Sequence, residues 1–209
     1  MRRVPQAEVL REWLRVERSK PDAEWFPIDS LSEREALDEL LDRKPGAAAF
    51  VWRDAPVRWR ETTLDREAVE SLEVVEGPPD LRWRALSPDG TVRGAADRIV
   101  RWDPDALAAE TGVDVETVID FVDEMPGGPL VISTREGCVP RYLADGNHRA
   151  VALALRARSD DREFSRPRAY LGVGANRVLG PLAQRVCGAV RSLLGDDPDR
   201  ADPRRAKER

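Results

Sequence analysis

The stretch from residue 129 to residue 158 places the tightest constraint on how this chain can fold. Residues 129–134 are a run of branched apolar side chains typical of a buried strand, and residues 135–137 predict a hairpin loop before a returning strand at 139–144. Residues 149–158 are rich in alanine and leucine, which favours a helix that is apolar nearly all round and therefore deeply buried. The sequence thus predicts a hairpin whose second strand passes directly into an inner helix.

The segments that follow complete this unit. A polar loop at residues 159–163 leads to a strand at 167–173, which we expect to return beside the hairpin by a right-handed crossover. Apolar residues at helical spacing predict a last amphipathic helix over residues 178–195. The tail from Asp196 is charged, contains proline and has almost no apolar residues, which predicts disorder.

The first half of the chain predicts a mixture of helices and short strands. An apolar stripe that includes Trp13 predicts a first helix closed by Pro21, and Ser32 with Glu35 forms a capping box for a second helix that Pro45 ends. Residues 64–72 predict a short helix. Apolar or alternating segments predict strands at residues 47–52, 57–60, 81–86, 91–93 and 98–102.

Two further helices precede the hairpin. Asp103 and Pro104 have the form of an N-cap followed by a first-turn proline, and the helix that they open ends at Gly112. Asp114 can cap the next helix, whose apolar stripe consists of Val115, Val118, Ile119 and Val122. We therefore predict an α+β protein with a small mixed sheet and packed helices. Its predicted parts are a mixed α/β extension (1–97), a second domain (98–195) and a disordered charged tail (196–209).

Composition excludes several classes of protein. No run of about eighteen apolar residues exists, so we expect a cytoplasmic globular protein with no membrane span. Two cysteines and one histidine cannot build a four-ligand zinc site. The net charge of −5 disfavours contact with a nucleic-acid backbone, so we expect no nucleic-acid partner. The oligomeric state is left open.

Arginine flanks four tryptophans, namely Trp52, Trp59, Trp83 and Trp102. Such interleaving can stack nucleobases and follow phosphates. We favour the alternative that strand alternation places tryptophan on the core face and arginine in solvent. Structural roles are likewise favoured for Cys138 and Cys187, and a solvated acidic face for Asp120, Asp123 and Glu124, although these three could approach the site as metal ligands.

The box formed by Asp145, Gly146, Asn147, His148 and Arg149 lies between the buried strand and the buried helix. The first turn of a helix has free N–H groups and partial positive charge, so it can bind an anion. His148 and Arg149 add two donors, and Asp145 can hold Mg²⁺ or accept a proton. The same residues also suit a plain cap and turn, so the local chemistry leaves both interpretations open.

Residues 129–132, a short hairpin and the box opening an alanine-rich helix together resemble the core of the ParB/sulfiredoxin superfamily, over about residues 99–173. This resemblance implies a ParB/sulfiredoxin-like nucleotide-binding domain in the C-terminal half. It also implies that Gly146, Asn147, His148 and Arg149 bind nucleotide phosphates.

Departures from the family pattern select the branch that the chain resembles. Asn147 stands where sulfiredoxins have their catalytic cysteine, and no helix-turn-helix of a partition protein follows the box. The ParB-like free-serine kinases, with Asp-Gly-His-His-Arg, differ from the box at one position. That similarity implies that Asp145 and His148 lie at the reacting centre, with a second acid drawn from Asp103, Asp105 and Glu110.

The functional hypothesis is that the chain binds ATP, ADP or CTP with Mg²⁺ and transfers or hydrolyses the terminal phosphate. The first-choice acceptor is a small hydroxyl-bearing metabolite, which would make the protein a small-molecule kinase. Two alternatives stay open. One is a non-catalytic nucleotide-sensing or adaptor module, and the other is a ParB-like, DNA-associated nuclease.

Overall fold

The computed structural model describes residues 1–20, 23–51, 57–74, 82–134, 141–158 and 164–174. Several predicted features lie outside these residues: the hairpin loop with Cys138, the polar loop at 159–163, the last helix with Cys187, and the charged tail. Trp52 also lies outside them.

A six-stranded mixed sheet forms the centre of the described fold, with the strand order β1-β2-β6-β4-β5-β3. The strands are β1 (Arg2–Val4), β2 (Arg58–Thr63), β3 (Glu73–Val74), β4 (Leu130–Thr134), β5 (Tyr142–Asp145) and β6 (Arg168–Val173). The predicted hairpin pair β4 and β5 is antiparallel, whereas β6 returns parallel to β4. The predicted α+β class and mixed sheet are therefore confirmed.

Eight α-helices surround the sheet in the described part of the chain. They are α1 (Gln6–Arg18), α2 (Glu33–Arg43), α3 (Arg66–Glu70), α4 (Trp83–Leu86), α5 (Val92–Arg101), α6 (Pro104–Thr111), α7 (Val115–Asp123) and α8 (Asn147–Arg156). The capping box predicted for α2 is present, since Ser32 accepts from Glu35 N and Glu35 accepts from Ser32 N. Asp103 and Asp114 cap α6 and α7 as predicted.

Both faces of the sheet are covered, which explains the continuous apolar run of β4. Leu130 and Ile132 pack in one cluster with residues of α5, α7 and α8, whereas Val131 packs in a second cluster with residues of α1 and α2. Alternate residues of a strand point to opposite faces, so a strand buried on both faces must be apolar throughout. The buried helix α8 therefore begins inside the protein, at the end of β5.

Four predicted strands are wrong. Residues 45–49 form a 3-10 helix where a strand was expected at 47–52, and Trp83–Leu86 form the short helix α4. The segments at 91–93 and 98–102 lie mostly within one helix, α5, because its buried stripe is Val92, Ala95, Ala96 and Ile99. Helical spacing of alanines outweighs the local alternation around Ile99.

The tryptophans divide into two groups. Trp59 and Trp83 are buried, as expected for core positions, whereas Trp102 is 60% exposed at the C-terminal end of α5. The core-face interpretation is thus wrong for Trp102, which directly follows the last residue of α5 and faces solvent.

The sheet takes strands from both sides of the predicted boundary between residues 97 and 98, and α5 runs across that boundary. Within the described ranges, none of the helices has both the length and the apolar character needed to cross a membrane.

Two neighbouring residues test the placement of α5. Ile99 is 6% exposed and Val100 is 63% exposed, so these two residues of α5 lie on its core face and its solvent face. We expect Ile99→Ala to lower the free energy of unfolding by about 2–4 kcal/mol, since it leaves a cavity. Val100→Ala should change it by less than about 0.5 kcal/mol. Urea denaturation of both variants measures the difference, and equal losses would contradict the described register.

Candidate functional site

A glycine turn connects the last residue of β5, Asp145, to the first residue of α8, Asn147. Gly146 has a φ of 92°, in the left-handed region that favours glycine. A Cβ atom at this position would lie 2.7 Å from Leu130 Cδ2 and 3.1 Å from Arg149 Nη2. The helix α8 begins at Asn147, two residues before the start at Arg149 that the sequence predicts. It directly follows a turn that only glycine fits without strain.

The N-terminus of α8 has no side-chain cap. Five other helices, α2, α3, α5, α6 and α7, begin at a serine, aspartate or threonine whose side chain accepts a first-turn N–H. Gly146 has no side chain to offer, so the first-turn N–H groups of α8 are left for another acceptor. The helix dipole favours a negatively charged one.

Two buried polar atoms of the box lack a hydrogen-bond partner among the described residues. They are Asn147 Oδ1 and His148 Nε2, in adjacent residues of the first turn. A buried polar atom left unpaired costs about 1–3 kcal/mol, so native proteins rarely keep two side by side without a reason. A bound ligand supplies such a reason.

The imidazole of His148 lies among aromatic rings. Its centroid is 4.9 Å from that of Trp83 and 6.5 Å from that of Phe121, both in edge-to-face geometry. Burial lowers the pKa of His148 from its ordinary value of 6.5, although the nearby carboxylates of Asp114 and Asp145 act in the opposite direction. His148 is therefore neutral at pH 7, with one ring nitrogen able to accept a proton.

Asp145 is held between two cations. Arg149 Nη2 donates to Asp145 Oδ2 at 3.1 Å, and Lys44 Nζ donates to Asp145 Oδ1. Asp145 is 7% exposed and Arg149 is 6% exposed, so this is a buried ion pair. Arg149 Nη1 also donates to the carbonyl of Gly127 at 3.3 Å.

A second carboxylate joins this cluster from α1. Glu17 accepts from Lys44 at 3.1 Å and also from Lys20. Burial acts to lower the pKa of Lys44, but the carboxylates of Asp145 and Glu17 outweigh it and raise that pKa above its ordinary value. Lys44 therefore keeps its positive charge in this position.

The five predicted site residues lie together at the end of β5 and the start of α8, but two of them, Asp145 and Arg149, form an ion pair with each other. Arg149, predicted as a phosphate donor, pairs with Asp145 one helical turn away. Of the predicted upstream acids, Asp103 caps α6 and Glu110 pairs with Arg98. No contact within the described ranges joins Asp103, Asp105 or Glu110 to the box, and the acid that faces His148 is Asp114.

Lys44 is a site residue that the sequence pattern does not predict, since it lies 101 residues from Asp145 along the chain. The one sequence feature that could have singled out Lys44 is the rarity of lysine, since only three of the 34 basic residues are lysines. Two of these three lysines contact Glu17.

The arrangement does not fit Mg²⁺ on Asp145. Both carboxylate oxygens already accept from Lys44 and Arg149, whereas Mg²⁺ needs free oxygen ligands. A search of the described ranges finds no cluster of three or more histidine, cysteine, aspartate or glutamate side chains able to hold a metal ion.

A small cavity of about 130 Å³ lies on the far side of Arg149. Its lining includes Gly127, Gly128, Leu130, Leu153 and Pro167 together with Arg149. His148 does not line it, so this cavity and the aromatic surroundings of His148 are separate.

Comparison with known proteins returns no match. Neither a protein-family model, nor a curated protein, nor a solved structure matches the chain. The similarity to the ParB/sulfiredoxin superfamily therefore rests on the box and its flanking segments, and family membership stays a prediction.

Gly146 gives a direct test of the turn. We expect Gly146→Ala to lower the free energy of unfolding by about 2 kcal/mol or more, because the added Cβ meets Leu130 and the backbone is left-handed. The control is Gly46→Ala, where a Cβ has no neighbour within 4 Å and φ is not positive. Urea denaturation compares the two variants, and a tolerated Gly146→Ala would contradict the described turn.

The single histidine allows a clean pH measurement. The lowered pKa means that the unfolded chain binds more protons than the folded one as the pH falls through 6.5, so stability declines there. We expect an NMR titration to place the pKa of His148 below 6.5 and His148→Gln to remove this part of the decline. A pKa at or above 6.5 would refute the buried position.

Proposed function

We propose that the protein binds the phosphate group of a nucleotide (ATP, ADP or CTP) at the first turn of α8. The observation that carries the proposal is the uncapped N-terminus of α8, whose first-turn N–H groups have no side-chain acceptor. A phosphate offers acceptors for the free N–H groups and the negative charge that the helix dipole favours.

The local charge also favours an anion. Three cations, Lys20, Lys44 and Arg149, face two carboxylates, Glu17 and Asp145, in one connected cluster. This excess of one positive charge occurs in a chain with a net charge of −5. The side chain of Lys44 is 30% exposed, so its ammonium can contact a second anion while Arg149 keeps Asp145 in place.

The proposed reaction is transfer of the terminal phosphate to a small hydroxyl-bearing acceptor, or to water. The hydroxyl oxygen forms a bond to the terminal phosphorus, the bond to the nucleotide's bridging oxygen breaks, and the hydroxyl proton moves to Nε2 of the neutral His148. Asp145 orients Lys44 and Arg149 beside the developing charge. No step of this proposal uses a metal ion.

A non-catalytic nucleotide-binding module is the second candidate. The contacts of Asp145 favour this candidate. Both carboxylate oxygens of Asp145 already accept hydrogen bonds from Lys44 and Arg149, and the residue is buried, so it cannot act as a base toward an acceptor hydroxyl. In this version the first turn of α8 binds nucleotide and His148 only fills space between the aromatic rings.

The two lysines on Glu17 provide a matched test of binding. We expect ATP to raise the melting temperature of the wild-type protein, and Lys44→Gln to weaken ATP binding about tenfold or more, because a charged contact is lost. Lys20→Gln should weaken ATP binding much less than Lys44→Gln does, since Lys20 contacts Glu17 but not Asp145. Isothermal titration measures the affinities. Equal affinity in both variants would place the phosphate elsewhere.

Product formation separates the two candidate functions. If the protein is a phosphotransferase or hydrolase, ³¹P NMR will show nucleotide turnover that His148→Gln abolishes while ATP affinity is kept. Unchanged ATP after many hours with saturating nucleotide and a mixture of hydroxyl-bearing metabolites would contradict the reaction and leave the binding module.

A further inference from the structure

A larger cavity lies away from the box, among α4, α5 and α6. Its volume is about 750 Å³, within the range of about 300–1,000 Å³ typical of small-molecule sites. The residues that carry the argument are Arg84, Asp89, Arg98, Arg101, Trp102 and Glu110, and none belongs to the Lys44–Asp145–Arg149 cluster. We call this cavity the α5 groove.

Trp102 gives the α5 groove an exposed aromatic surface. It is 60% exposed, whereas Trp13, Trp59 and Trp83 are buried almost completely. The guanidinium of Arg98 lies 5.8 Å from its ring centroid, which orients the indole by a cation–π contact. A large aromatic ring held in solvent beside a cavity is a surface on which a planar ligand can stack.

The carboxylates of the α5 groove already have partners. Glu110 accepts from Arg98 at 2.7 Å, and Asp97 accepts from Arg158 at 2.6 Å. Asp89 accepts from the side chains of Ser87 and Thr91. The arginines compensate the charges of Glu110 and Asp97, whereas Asp89 keeps its negative charge on the side of the groove formed by the turn before α5.

The arginines of the α5 groove are not all satisfied. Arg98 donates to the carbonyl of Ala85 and to Glu110, but Arg84 reaches Glu73 only at 3.5 Å. Arg101 is exposed and has no ion-pair or hydrogen-bond partner in the described ranges. Arg101 can therefore bind an anion next to Trp102, and Arg84, whose contact with Glu73 is long, can join it.

We propose that the α5 groove binds an aromatic anion of the nucleoside monophosphate class. The planar base stacks on Trp102, and the phosphate pairs with Arg101 and Arg84. This site is separate from the box, so the inference does not rest on the function proposed for α8.

The probe is adenosine 5′-monophosphate (AMP), with adenosine and inorganic phosphate as its two halves. We expect AMP to shift the indole N–H resonance of Trp102 in a ¹H–¹⁵N spectrum, and each half to bind more weakly than AMP. Trp102→Leu should weaken AMP binding at least about fivefold, as expected for the loss of one stacking contact. Arg101→Gln should weaken it about tenfold.

Matched controls come from the same chain. Trp25→Leu removes a second tryptophan that is strongly exposed in the described ranges, and Arg60→Gln removes an exposed arginine on β2. Both variants should leave AMP affinity unchanged. No AMP binding would overturn the proposal. So would binding that Lys44→Gln weakens and Trp102→Leu does not, because that result would assign AMP to the box.

Discussion

The position of Asp145 between Lys44 and Arg149 is the interaction on which the described site depends. Asp145 ends β5, Arg149 lies one turn into α8, and Lys44 follows α2, so one carboxylate ties together the sheet and two helices. Removing one partner of a buried ion pair costs about 3–5 kcal/mol, because a charge is left uncompensated inside the protein. The same ion pair fixes where α8 begins and thus where its free N–H groups point.

The burial of the sheet explains why the box is placed where it is. β4 and β5 are covered on both faces, so the chain leaves β5 inside the protein and enters a helix that is itself buried. Most polar groups at such a position find partners within the protein, as Asp145 and Arg149 do. Asn147 Oδ1 and His148 Nε2 do not find one among the described residues. The physical basis of the proposed phosphate site is the uncapped first turn of α8 in which these two residues lie.

The sequence predicted those parts of the molecule that local patterns determine. The apolar run of β4, the caps of α2, α6 and α7 and the glycine turn at Gly146 are each encoded within a few neighbouring residues. Lys44 could not be predicted as a partner of Asp145, because 101 residues separate them and only the tertiary fold brings them together. The strand expected near Ile99 is part of α5 because Ala95 and Ala96 complete a helical stripe that a short alternating window does not reveal.

The central claim is that the first turn of α8 holds a phosphate. It is tested most directly by titrating ¹⁵N-labelled protein with ATP and following the backbone amide resonances of Asn147, His148 and Arg149. The account predicts that these three resonances move together and saturate at one affinity. If ATP binds while all three stay in place, the helix N-terminus does not contact the phosphate and the proposed site is refuted.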